Sequence, residues 1–160
     1  MTISKIQQLT RQWGLWVLII FHAVGIGLLS GPWRHDLVVL TPLNLALLSA
    51  LYLLASDPIE RPLLYFAPIA LGFGVEVLGT NTGVPFGEYA YSNYLGPRLW
   101  ATPLTIGLLW WVLLRSWFDW FGRWTQHRTL RSLLTGLGMV LMDFFIEPVA
   151  IELNFWRWNE

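Results

Sequence analysis

The chain has 160 residues, no net charge by count, 55% hydrophobic and only 12% charged residues, a mix outside the globular range that points to the membrane class. No basic field exists to recruit nucleic acid, and the absence of cysteine excludes disulfide frameworks, thiolate metal sites and thiol nucleophiles. Eleven tryptophans suit membrane interfaces, where an apolar ring and a polar N–H are both satisfied.

Residues 1–12 are polar, and residues 13–29 supply a first apolar segment stopped by Gly31-Pro32. It is long enough to span a bilayer and no small-residue cleavage pattern follows, so it reads as a retained span rather than a signal peptide. His22 within it reads either as hydrogen-bonded to a neighbouring helix or as a proton relay. Residues 37–55 form a second span, with Thr41-Pro42 fitting an N-cap and a first-turn proline. Asp57 and Glu60 follow at the spacing of a capping pair.

Residues 63–78 form the third span, in which Gly72, Glu76 and Gly79 fall near one helix face. Small residues there let another helix approach the carboxylate closely. An acid in a bilayer costs roughly 3 kcal/mol even on the lenient insertion scale, which makes Glu76 a functional-site candidate. The next stretch, TNTGVPFGEYAYSNYLGPR, is too polar for lipid and too rich in Gly, Pro and Asn for a helix. A loop of that length tends to carry function.

A fourth span is expected over residues 99–118, with Thr102-Pro103 as cap and start and Trp110-Trp111 at its middle. A connector with Arg115, Arg123, Arg128 and Arg131 leads to a fifth span over residues 133–150, which contains Asp143 and Glu147. The tail IELNFWRWNE alternates apolar and polar residues and reads as interfacial. The expected fold is therefore an all-α polytopic membrane protein, one domain over residues 1–160, with about five transmembrane helices and a long polar loop between the third and fourth. With the N-terminus inside, Lys5, Arg11, Arg61, Arg115, Arg123, Arg128 and Arg131 lie inside against Arg34, Arg98 and Arg157 outside, and seven to three favours that orientation. Span parity alone brings Glu76, Glu88, Asp143, Glu147 and Glu152 to one membrane face.

Asp143 and Glu147 are four residues apart, which stacks them on one helix face. Two carboxyls so close in low dielectric do not both ionise readily, so one serves as a resting acid. Pro148 cannot bond the carbonyl of Phe144, so the helix is expected to kink or end there. Four readings compete for these acids: a Mg²⁺ site with Glu76, which would suit the oxygen preference of that ion; a proton or cation pathway; structural pairing to Arg98, Arg157 or aromatic donors; and acid catalysis on an apolar substrate. The last needs a neutral carboxylic acid, a dry pocket, a held water and aromatic faces to stabilise a carbocation. Tyr89, Tyr91, Tyr94, Trp100, Phe144, Phe145, Phe155, Trp156 and Trp158 are at hand, although an interfacial belt is the plainer reading of each alone.

The pattern E-x-x-G-x-x-T-G-x-P-F-G-x-Y-x-Y from Glu76 to Tyr91, followed by D-x-x-x-E-P-V-A from Asp143 to Ala150, resembles the carotenoid biosynthesis membrane proteins that include bisanhydrobacterioruberin hydratase and γ-carotene 1′-hydratase. The resemblance covers about residues 72–158. It implies a carotenoid hydratase of the bacterial inner membrane, with no organic cofactor and no metal ligands assigned, that adds water to the terminal double bond of the ψ end group of a linear carotenoid. On that reading Asp143, Glu147 and Glu76 are the candidate catalytic residues, and Thr82, Phe86, Tyr89, Tyr91, Phe144 and Trp156 the candidate substrate-binding ones. Some relatives carry aspartate where this chain has Glu147. Similar proteins also continue past the W-x-W with at least one more span, so the chain is expected to be truncated relative to the family. A small proton or cation transporter and a non-catalytic pigment-binding protein are the alternatives; no oligomeric state is read from the sequence.

Overall fold

A computed structural model of the chain describes residues 3–56 and 60–159 and is dominated by helix. Helix α1 (Ile3–Leu29) is followed by a short α2 (Arg34–Leu37), a 3₁₀ turn (Val38–Leu40), α3 (Thr41–Ala55) and α4 (Pro62–Thr82). The loop then holds β1 (Tyr89–Tyr91), a 3₁₀ turn (Asn93–Leu95), β2 (Arg98–Leu99) and β3 (Thr102–Pro103). Helices α5 (Leu104–Phe121) and α6 (Arg128–Glu152) and strand β4 (Trp156–Trp158) complete the chain. Among the described residues, four segments are long and apolar enough to cross a membrane: Gln8–Leu29, Val38–Ala55, Pro62–Thr82 and Arg128–Glu152. The expected fourth span corresponds to α5, which is shorter and interrupted by Arg115 and Asp119.

Helix α5 is central and packs against α3, α4 and α6, while α1 packs mainly on α3. Close approach is built into the sequence by small residues. At Gly72 the Trp110 ring of α5 lies where a Cβ would stand, and a Cβ at Gly138 of α6 would lie 2.6 Å from Trp117 of α5. Trp111, 2% exposed, donates its indole N–H to the Tyr65 carbonyl at 3.0 Å, closing the layer between α4 and α5. The aliphatic side chains point outward, with Leu63, Leu71, Leu137 and Val140 exposed, as expected where the bilayer is the solvent for the outer surface.

The local signals for helix ends partly misplace them. Pro62 starts α4 as a first-turn proline, and Gly83, at φ 75°, ends it with its N–H on the Gly79 carbonyl at 2.8 Å. The expected cap at Asp57 lies outside the described residues, and Arg61 holds the α4 N-cap position without a side-chain bond. Thr41 is the first residue of α3 and donates back to the Val38 carbonyl rather than capping. Thr102 does not start α5: residues 98–103 form a β2–β3 hairpin, and the fully buried Thr102 hydroxyl meets that of Thr80 at 2.9 Å. His22 bonds its own helix, at the Leu18 carbonyl, rather than a neighbour. Helix α6 does not end at Pro148 but runs on to Glu152.

What ends α6 is Asn154. At φ 56° it sits in the left-handed conformation after the helix, the Phe155 N–H reaches back to the Ala150 carbonyl at 2.8 Å, and the Asn154 N–H reaches Ile151 at 3.0 Å. This paired closure reverses the chain. The tail folds back as a strand: β4 pairs antiparallel with β1, Tyr89 opposite Trp158 and Tyr91 opposite Trp156. The all-α expectation is thus modified by two small two-stranded sheets. A Gly72→Ala substitution should destabilise the protein by about 1–3 kcal/mol through overpacking on Trp110, whereas Gly74→Ala, with open space at its Cβ position, should be tolerated; thermal unfolding of the purified protein in detergent separates the two.

Candidate functional site

Strand β1 crosses the end of α4, and β4 lies beside it, so the loop and tail close over the ends of α4, α5 and α6. Beneath them is a cavity of about 220 Å³. Its walls include Glu76 of α4, Trp110 of α5, Asp143 and Glu147 of α6, and Tyr89, Tyr91, Trp156 and Trp158 of the paired strands. No cationic side chain lines it among the described residues.

The three carboxyls have three different environments. Glu76, 9% exposed, accepts from Tyr89 OH at 2.6 Å and Tyr91 OH at 2.8 Å on Oε2, and from the Trp110 indole N–H at 3.0 Å on Oε1. It is a saturated acceptor at the floor of the cavity. Glu147 takes one bond, from the Trp158 indole N–H at 2.8 Å. Asp143 is exposed and has no hydrogen-bond partner among the described residues. A Cβ at Gly79 would lie 2.7 Å from Tyr89 OH, so glycine there is what lets the phenol reach the carboxylate one turn earlier.

The phenols are fixed as donors. Burial, then the hydrogen bond to Glu76 and its charge, push Tyr89 above the ordinary tyrosine value; burial, then the Glu76 charge and hydrogen bond, do the same for Tyr91. Both stay protonated through the neutral range. Their rings also make edge contact with each other at 5.5 Å between centroids, and Tyr89 and Tyr91 lie 5.4 and 6.0 Å from Trp158 and Trp156. The result is an aromatic wall on the strand side of the cavity and acids on the helix side.

Most of the residues singled out from sequence meet here: Glu76, Asp143, Glu147, Phe86, Tyr89, Tyr91 and Trp156. Two do not. Phe144 is 71% exposed and lies off the cavity, because it follows Asp143 by one residue and a helix turns about 100° per residue. Thr82 closes the end of α4, donating to the Leu78 carbonyl at 2.7 Å and accepting from the Val84 N–H at 3.2 Å. Of the other acids expected on this face, Glu152 pairs with Arg34 at 2.8 Å and Glu88 lies outside the cavity lining. Arg98 bonds the Tyr91 carbonyl at 2.9 Å and the Asn93 side chain, and Arg157 bonds Asn154 at 3.2 Å, so neither neutralises a cavity acid. Among the described residues no group of three His, Cys, Asp or Glu side chains is gathered closely enough to hold a metal ion. Sequence reasoning did not assign Trp110 to the site. Its only signal was four-residue spacing from Ile106, which puts both on one face of α5.

The chain is 31% identical to bisanhydrobacterioruberin hydratase of Haloarcula japonica over an alignment of 94 positions, covering 52% of this chain and 30% of that protein. The match thus spans about a third of that relative's length. No solved structure matches the chain. The family model described as "Carotenoid biosynthesis protein" matches residues 37–160, which contain every acid and aromatic residue of the cavity; the chain belongs to the carotenoid biosynthesis protein family.

Proposed function

We propose that the protein hydrates the ψ end group of a linear carotenoid, adding water across its terminal double bond to give a tertiary alcohol. The observation that carries this reading is the division of labour among three carboxyls in one aromatic cavity without a cation. Paired acids in unlike environments are the usual basis for distinct acid and base roles. Asp143, unpartnered at the cavity mouth, is the proton donor to the less substituted alkene carbon. The electron pair of the double bond forms the new C–H bond and leaves a tertiary cation on the neighbouring carbon. Glu147, held by Trp158, orients a water whose oxygen forms the C–O bond, and the proton released from that oxygen returns to the Asp143 carboxylate, directly or by way of Glu147, restoring the starting state. Glu76 positions the aromatic wall through its bonds to Tyr89, Tyr91 and Trp110. The Tyr89, Tyr91, Trp156 and Trp158 faces stabilise the cation by their quadrupoles, worth about 2 kcal/mol or more when dry.

The volume limits what enters. A space of about 220 Å³ fits a short branched end group and not a whole polyene. Val140 lines the cavity and is also 70% exposed, so the mouth opens on the outer face of α6. Leu133, Leu137, Val140 and Phe144 form an exposed apolar stripe leading to it at spacings of four, three and four. The polyene lies along that stripe in the bilayer and presents its end to the acids.

Expression in cells that accumulate lycopene or γ-carotene, with pigments read by mass, tests the proposal: one water is gained per processed end, and an unchanged mass from the well-inserted protein would refute it. Asp143→Asn should lower hydration at least about 100-fold while leaving the unfolding midpoint in detergent unchanged, since no hydrogen bond is lost. Glu76→Gln replaces an acceptor that three donors share, so it should lower both, with a stability loss of about 1–3 kcal/mol. Val140→Trp should block the mouth and reduce turnover of the long polyene without altering the Tyr89 and Tyr91 contacts.

A further inference from the structure

A second and larger cavity, of about 1200 Å³, lies at the opposite end of the helices between α1, α3, α4 and α5 and shares no lining residue with the first. Four arginines line it, Arg61, Arg115, Arg123 and Arg131, against two acids, Glu60 and Asp119. The proposed hydration does not use any of them.

The acids do not spend this positive charge. Asp119 accepts from Arg115 at 3.0 Å, from Arg131 at 3.5 Å and from Tyr52 OH, so one carboxylate is shared among three donors. The buried Nε of Arg115 has no hydrogen-bond partner, although its guanidinium is held 4.6 Å above the Tyr65 ring. Arg131 is fixed by its Nε bond to the Phe118 carbonyl at 2.7 Å and by the Phe118 ring 3.6 Å below. Arg123 lies 5.8 Å over Trp120, and neither it nor Arg61 has a carboxylate partner among the described residues. Two guanidinium groups are thus held in place and two more stand at the rim.

Below the arginines the walls turn apolar, with Leu18, Leu48, Leu51, Leu64 and Val112. Because α1 packs mainly on α3, the cleft is open sideways between α1 and α4, toward the bilayer. This is the face on which seven of the ten Lys and Arg residues are expected and thus the cytoplasmic leaflet, where anionic phospholipids concentrate. Guanidinium forks match phosphate oxygens in geometry as well as charge. We propose that this cleft binds an anionic glycerophospholipid, its phosphate on Arg61, Arg115 and Arg123 and its acyl chains along the leucine wall. The site would tie the membrane position of α1 to that of α4 and α5 at the end of the molecule remote from the reaction.

The test is native mass spectrometry of the purified full chain, titrated separately with phosphatidylglycerol, phosphatidylcholine and inorganic phosphate. Phosphatidylglycerol should be retained at least about fivefold over phosphatidylcholine, with salt weakening the difference. The double variant Arg61→Gln, Arg123→Gln should lose that preference, and Arg61→Lys, Arg123→Lys should keep most of it. Equal retention of the two lipids by the unaltered chain would overturn the proposal whether or not the variants fold. So would an undiminished preference in the glutamine variant, or full displacement of phosphatidylglycerol by millimolar phosphate, which would identify a soluble phosphate compound as the ligand. Hydration activity is not part of the readout, so either proposal can fail alone.

Discussion

A carboxylate buried at the end of a membrane helix is tolerable only if its oxygens are satisfied within the protein, and the arrangement of this molecule follows from how Glu76 meets that condition. Three donors reach it, two phenols from β1 and an indole from α5, and hydrogen bonds to a charged group are worth roughly 1.5–3 kcal/mol each. The bonds span 13, 15 and 34 residues of sequence, so they tie the loop and α5 to α4. Strand β1 in turn fixes β4 by pairing, and β4 carries Trp158 to Glu147 on α6. The cavity is enclosed by that sequence of dependences.

The same logic explains why the interior is aromatic and polar while the exterior is aliphatic. Leucine gains little by moving from lipid into a protein interior that is equally apolar. Tryptophan and tyrosine gain more, because burial lets them satisfy both ring packing and a donor. Trp111 on Tyr65, Trp110 on Glu76 and Trp158 on Glu147 are three cases in which an indole N–H joins two different elements of the fold. Under the proposed hydration this composition is useful twice. The rings that hold the fold together are also those whose faces would stabilise the cation, and among the described residues their donors leave Asp143 without a partner.

Sequence reasoning reached the centre of the site because an acid in an apolar helix is costly and therefore conspicuous, and because span parity carries Glu76 and the Asp143–Glu147 pair to one face. Gly72 was legible as a close-approach position; that the approaching group is Trp110 was not, since helix register between α4 and α5 is a tertiary fact. The β1–β4 pairing was hidden for a similar reason. Each strand has three residues, and the partner lies more than sixty positions away, so the alternating tail could as well have faced the membrane interface. Phe144 lies off the cavity for a reason the sequence did contain. Position 146 or 147, not 144, shares a helix face with Asp143, and Ile146 and Glu147 do line the cavity. Pro148 misled in the opposite sense: a missing N–H removes one bond of α6, but packing along the helix carries it on until Asn154 supplies a left-handed closure.

Helix α5 shows why hydropathy and position disagree in such a protein. It contains Arg115, Asp119 and four tryptophans, and among its large apolar side chains only Leu104 and Trp120, near its ends, are exposed. A helix bounded by other helices on several sides need not be soluble in lipid, so its sequence is free to carry charge and donors. What it must do is match its neighbours. One end of α5 gives Trp110 to the acid cavity, and the other gives Arg115 and Asp119 to the basic cleft. The outer helices turn an aliphatic face to the bilayer; the central one meets two different chemistries, and its sequence changes character between them.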